Sequence, residues 1–158
     1  VFKKDGTVTA ANASSINDGA AALVLMSAER AKAEGKTVLG RITGYATAAR
    51  KPVEFTIAPA DAIKKLFERT KLSASDVDLW EINEAFAVVA IANNQILKLD
   101  PSKVNIRGGA TSLGHPIGAS GARVLVTLLQ ALKDTGKKRG VASLCIGGGE
   151  GIALMVER

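Results

Sequence analysis

Three short stretches hold the side chains best equipped for chemistry. Gly108 to Arg123 contains the sole histidine of the chain, His115, set among five glycines and Pro116. Cys145, the sole cysteine, is followed at once by Ile146-Gly147-Gly148-Gly149-Glu150-Gly151. Asn83-Glu84 forms the third. An imidazole can move a proton near neutral pH, or stay neutral and donate one N–H to a developing oxyanion. A cysteine can be a nucleophile or an acid/base group once its pKa is tuned. An asparagine amide can hold a water or a polar substrate group. Each residue also has a plain structural reading. His115 can cap the helix that follows it, and Cys145 can be a small buried apolar residue. Asn83 can be a helix N-cap, with Glu84 in the first turn suited to the helix dipole.

These residues need elements to place them. After His115, Ala122, Leu125, Val126, Leu129 and Leu132 recur in steps of three and four, the stripe of an amphipathic helix. Pro116 suits its first turn and Gly136 the position past its end. His115 should then lie at the positive end of a helix, which favours a neutral ring. Upstream, Val1 to Ser15 reads as an extended entry and loop, and Ala20 to Met26 as a buried strand. Ser27 caps a helix over Ala28 to Glu34. Val38 to Thr47 is a strand, and Ala60 to Thr70 a helix with Ile63, Leu66 and Phe67 on its apolar face. Asp78 to Ile82 is a short strand. Asn83 opens a helix whose residues Ala85 to Ala92 are all apolar, which predicts burial on every side. Val104 to Ile106 is extended. Strands over Gly140 to Ile146 and Ile152 to Val156 are joined tightly enough for an antiparallel hairpin. Strands alternating with helices indicate an α/β sheet, largely parallel, whose ligand edge lies at the strand C-termini. Asn83, His115 and Cys145 each follow a predicted strand and can share that edge. A Cys/His/Asn set also suits a cysteine hydrolase, but no local signature of the papain or caspase groups is present.

Composition narrows the choice. The chain has 158 residues, 47% hydrophobic and 23% charged, enough for one globular domain, and only 4% aromatic, so its core is aliphatic. A net charge of +6 admits anionic partners such as a phosphate-bearing ligand. The basic runs Lys137-Lys138-Arg139 and Lys64-Lys65 are short and lack interleaved aromatics, which argues against nucleic acid. One cysteine and one histidine exclude an internal disulfide, a CxxC pair and zinc sites built from several Cys and His ligands. No apolar run is long enough to span a membrane. The glycines after Cys145 precede a strand rather than a helix, so they are not a nucleotide motif. With no initiator Met, the chain is expected to be a piece of a longer protein.

Asn83-Glu84-Ala85-Phe86, Gly114-His115-Pro116-Ile117-Gly118 and Cys145-Ile146-Gly147-Gly148-Gly149-Glu150-Gly151 together resemble the three active-site blocks in the C-terminal half of thiolases, in order and spacing. Gly6-Thr7-Val8-Thr9-Ala10 through Asn17-Asp18-Gly19-Ala20 resembles the segment just before that half. The resemblance covers essentially the whole chain and leans towards acetyl-CoA acetyltransferases. It implies a thiolase-like α/β fold, with a mixed, mostly parallel five-stranded sheet and helices on both faces. Residues 1–36 would end the N-terminal domain, and residues 37–158 would be the C-terminal domain. It implies acyl transfer with Claisen condensation or thiolysis, converting two acetyl-CoA to acetoacetyl-CoA and CoA. A longer-chain 3-ketoacyl-CoA thiolase and a non-catalytic thiolase-like binding module are the alternatives. His115 would activate a cysteine in the N-terminal half, which is acylated. Cys145 would protonate the departing CoA thiolate and then take an α-proton from the second acetyl-CoA. His115 and a water held by Asn83 would stabilise the enolate, the Gly147 N–H would serve a second oxyanion hole, and Ser14 would contact the pantetheine arm. The resemblance implies no cofactor or metal beyond the coenzyme A thioester substrate. It implies the N-terminal half as partner, a homo-oligomer when complete, and a cytoplasmic location with an organellar matrix left open. Arg107 and Ala11 depart from the residues common in the family. The sole cysteine is assigned as Cys145, so the chain alone is expected to be inactive.

Overall fold

The computed structural model describes residues 3–158. The first two residues of the expected extended entry lie outside that range. The frame is a four-stranded sheet in the order β1-β4-β3-β2. Its strands are β1 (Arg41–Ala49), β2 (Leu79–Ile82), β3 (Arg139–Cys145) and β4 (Glu150–Glu157). Only β2 and β3 run parallel; β4 is antiparallel to both β3 and β1. The sheet is therefore mixed with one parallel pair, not mostly parallel, and it has four strands where five were expected. Two segments account for the difference. Val104 makes a single bridge to Trp80 and does not extend into a strand. Ala20 to Met26 pairs with no strand among the described residues, and Val24 and Leu25 are 85% and 72% exposed. An apolar run becomes a strand only where a neighbour completes its ladder.

Alternation along the strands builds a core on each face. Val141, Ala153 and Met155 face one side with Ile63, Leu66, Trp80 and Val89. Ala142 and Val156 face the other with Val124, Leu128 and Leu132. The helix Ala58–Thr70 packs on the first face, with Ile63 and Leu66 fully buried and Phe67 edge-on to Trp80 at 6.1 Å. The longest helix, Ser120–Thr135, covers the second face and ends as expected at Gly136 in the left-handed region. Its buried residues are Ser120, Val124, Leu125, Leu128, Ala131 and Leu132. That stripe is rotated from the expected one: Val126 is exposed, and Ser120 takes an inward position. The short helix Ala28–Ala33 is capped by Ser27, whose hydroxyl accepts the Arg30 N–H. Helix Ala87–Leu97 departs from expectation. Only Val89 and Asn93 are buried, and Ile91 is 54% exposed, so the helix is covered on one side and leaves apolar residues exposed on the other. Among the described residues no helix is long and apolar enough to cross a membrane.

Candidate functional site

Asn83 follows directly from the parallel pair. Ile82 lies opposite Ser143, and the Asn83 N–H continues the ladder to Ser143 O at 2.9 Å. Asn83 therefore lies beside the end of β3, two residues from Cys145. It is buried, and it is not a helix N-cap. The helix starts four residues later, because residues 84–86 are drawn against the N-terminal segment. Ala13 bridges Phe86, and the Ala87 N–H donates to Asn12 O at 2.8 Å. Ser14 donates both its N–H and its hydroxyl to Ala85 O, at 3.0 and 2.9 Å. Ser14 is thereby fixed beside the Asn83 loop. Glu84, outside any helix, accepts from the Asn105 amide at 3.2 Å and the Thr111 N–H at 3.3 Å. Asn105 adopts φ +50° and pairs its side-chain amide with both the N–H and the carbonyl of Ile82, each at 2.9 Å.

His115 sits on a loop stitched to the same N-terminal segment. Its N–H reaches Asn17 Oδ1 at 3.0 Å, and Ile16 forms a parallel bridge with it. Gly114 turns the chain here at φ +95°, ψ +164°, a region closed to side-chain-bearing residues. The helix begins only at Ser120, so Pro116 belongs to the preceding turn rather than to the first helical turn. The imidazole Nδ1 lies 2.6 Å from Ser120 Oγ, whose own proton goes to Pro116 O at 3.0 Å. While it does so, Ser120 accepts from the ring and the ring proton is on Nδ1; with the hydroxyl turned to donate to Nδ1, the proton is on Nε2. The opposite nitrogen, Nε2, faces Asn83 Nδ2 at 3.4 Å. The ring is held neutral, its pKa lowered first by burial and then by the nearby Arg123 charge. The expected cause was the helix terminus. With the proton on Nδ1, Nε2 is a base that becomes a donor only after taking a proton.

Cys145 is the last residue of β3 and pairs with Gly151 across the hairpin. Its side chain packs on the first core, and burial pushes the thiol up to about 11. It is protonated at neutral pH. The turn that follows is closed by Ile146 N–H to Glu150 O at 2.8 Å and Gly149 N–H to Ile146 O at 3.0 Å. Gly149, at φ +101°, lies against the backbone of Arg50 and Lys51, which leaves no room for a Cβ. Gly147 faces open space. Arg107 points away to Asp134 at 2.7 Å.

Residues 36–158 match the family model for the thiolase C-terminal domain, and residues 1–29 match that for the thiolase N-terminal domain. The chain belongs to the thiolase family. Acetyl-CoA acetyltransferase 1 of Arabidopsis thaliana is 59% identical over 99% of the chain, which spans 38% of that relative. The acetyl-CoA acetyltransferase of Cupriavidus necator is 55% identical over 99% of the chain and 40% of its own length. The crystal structure of the Bacillus anthracis acetyl-CoA acetyltransferase superposes with a TM-score of 0.97 at 52% identity, covering 99% of the chain and 40% of that structure. Human mitochondrial 3-ketoacyl-CoA thiolase in complex with CoA gives 0.91 at 42% identity, with the same coverage. The thiolase chain thus spans about two fifths of the relatives it matches.

In this thiolase chain, sequence reasoning did not assign Glu81, Asn105, Ser120 or Arg123, all of which hold the site. Two left a signal. Ser120 and Arg123 lie one helical turn apart and place polar groups on the covered, otherwise aliphatic side of their helix. Glu81 is only 2% exposed, in a four-residue strand buried throughout. Desolvation raises its carboxyl to about 7, with Arg123 pulling the other way and Glu84 adding to the rise.

Proposed function

We propose that the chain supplies the C-terminal half of an acetyl-CoA acetyltransferase, interconverting two acetyl-CoA with acetoacetyl-CoA and CoA. The observation that carries this reading is the convergence of Asn83 and His115 beside the strand end that presents Cys145. The higher identity to acetyl-CoA acetyltransferases than to the 3-ketoacyl-CoA thiolase supports the short-chain substrate.

In this reading residues 1–36 complete the N-terminal domain, and residues 37–158 form the C-terminal domain. A cysteine of the N-terminal half gives its proton to the Nε2 lone pair of His115, and its thiolate displaces CoA from the first acetyl-CoA. The thiol of Cys145, protonated at rest, gives its proton to the departing CoA thiolate. The Cys145 thiolate then takes the α-proton of the second acetyl-CoA, and the resulting carbanion attacks the acyl-enzyme carbonyl; the acyl C–S bond breaks, and the cysteine of the N-terminal half leaves as a thiolate that recovers its proton from His115 Nε2. That carbanion is stabilised as an enolate, whose oxygen accepts from protonated His115 Nε2 and from a water held by the Asn83 amide. Each fixed donor at such an oxygen is worth about 3 kcal/mol. The Gly147 N–H meets the second oxyanion, and Ser14 touches the pantetheine arm.

The test is acetoacetyl-CoA thiolysis by the chain alone and by the chain joined to a thiolase N-terminal half. Turnover is expected only in the joined form, and Cys145→Ser there should lower condensation about 10³-fold while sparing acylation. Turnover by the chain alone, or condensation undiminished by the serine, overturns the assignment.

A further inference from the structure

The hydrogen bonds around His115 can be drawn in two self-consistent ways. In the first, Asn83 directs its NH₂ at a bare Nε2, His115 donates Nδ1–H to Ser120, and Ser120 donates to Pro116 O. In the second, the Asn83 amide is turned over. Its oxygen accepts Nε2–H, and the Ser120 hydroxyl turns to donate to Nδ1. Ser120 and His115 fit both, so they cannot choose between them. A guanidinium can, because it donates and never accepts. Arg123 Nη2 lies 3.4 Å from Asn83 Oδ1. Only the first network places an oxygen there.

We infer that Arg123, anchored on Glu81, is a positioning residue that fixes which way the Asn83 amide faces and thereby which nitrogen of His115 carries the proton. Arg123 Nη1 sits 3.6 Å from Glu81 Oε2, and both side chains are largely buried. As a stabilising pair this is poor. The separation is long, and Arg123 Nε is buried with no partner among the described residues. A buried ion pair of this quality is readily matched by apolar residues of similar volume. What apolar residues cannot do is orient an amide. The charged groups around the ring are Arg123 and, behind it, Glu81. Glu84 turns to Asn105 and the Thr111 N–H, and the N-terminal segment offers the neutral Asn17.

The consequence for catalysis rests on the thiolase reading above, but the central test does not. The chain has one histidine, so ring ¹⁵N spectra of the histidine-labelled chain report a single imidazole. The unaltered chain should show the neutral Nδ1–H tautomer at pH 7.5. Arg123→Met should give a tautomer mixture and move the protonation midpoint up towards the ordinary 6.5. Arg123→Lys keeps the charge but loses the fork, so it should hold the midpoint low while still mixing the tautomers. If the methionine variant fails to fold because Glu81 is left unpaired, the double variant Arg123→Met/Glu81→Leu removes both charges and should give the same mixture. A folded methionine or double variant that keeps the Nδ1–H tautomer overturns the inference. In the complete protein, Arg123→Met should lower kcat about 10²-fold with KM for the thioester little changed. Full activity beside a mixed tautomer would count against the thiolase roles, not against the positioning.

Discussion

Gly114→Ala is the sharpest probe of how the His115 loop is held. A Cβ built on Gly114 lies 2.6 Å from Asn17 Cγ and closer still to Asn17 Oδ1. That oxygen accepts the His115 N–H at 3.0 Å and the Ser15 hydroxyl at 2.9 Å. The methyl must expel it, which removes two hydrogen bonds of about 1 kcal/mol each. Alanine at φ +95°, ψ +164° adds about 1–3 kcal/mol of backbone strain. The expected loss is therefore about 3–5 kcal/mol, read as a drop in the urea midpoint with the slope unchanged. Asn17→Ala alone removes the hydrogen bonds and leaves the strain out, so it should cost about 2 kcal/mol. In the double variant the clash has no target, and the cost should fall short of the sum by about 2 kcal/mol. Additive effects, or a Gly114→Ala chain within about 0.5 kcal/mol of the original, would refute the reasoning, since surface changes commonly stay in that range.

Two further outcomes follow from the titrating groups. Glu81 holds its proton up to about pH 7 in the fold, against an ordinary 4.5, so its contribution to stability is full below 4.5 and lost as pH rises to about 7. The loss is about 3 kcal/mol, and Glu81→Gln should abolish that slope in urea midpoints taken across the range; parallel curves for the two chains exclude it. His115 runs the other way, its contribution being present above 6.5 and lost as pH falls below it. For Cys145, with the thiol raised from 9.0 to about 11, iodoacetamide should react about 100-fold more slowly at pH 7.5 than with a thiol of ordinary pKa. The rate should climb about tenfold per pH unit beyond 9, and a plateau near 9 contradicts the burial argument.

Local signals read well where local physics decides the outcome. The Ser27 cap, the Ile63/Leu66/Phe67 face, the hairpin after Cys145 and the Gly136 stop all depend on neighbours within a few residues. The errors fall where distant segments intervene. Asn83 has the chemistry of an N-cap, but Asn12 and Ala13 pull the following residues into a bridge and delay the helix. Ala20 to Met26 has the composition of a strand, and composition cannot supply a partner. Apolar periodicity alone defines the stripe after His115, and it gives no weight to Ser120 and Arg123 on the covered side. Asn83, His115 and Cys145 stand out by residue type, but only Asn83 directly follows a strand: Cys145 ends β3, and the segment before His115 makes a single bridge. Their mutual orientation is set by Asn17, Glu81, Asn105 and Arg123, which only the fold brings to them.

The threads that hold the site span long stretches of chain. Ser14 to Ala85 closes 71 residues, and Asn17 to His115 closes 98. Loop-closure entropy grows with such separations, and each is repaid by one or two hydrogen bonds rather than by buried hydrocarbon. The aliphatic layers on the two faces of the sheet are complete without them. Fold and reactive geometry are thus secured by different classes of contact, and the second can open while the first stays shut.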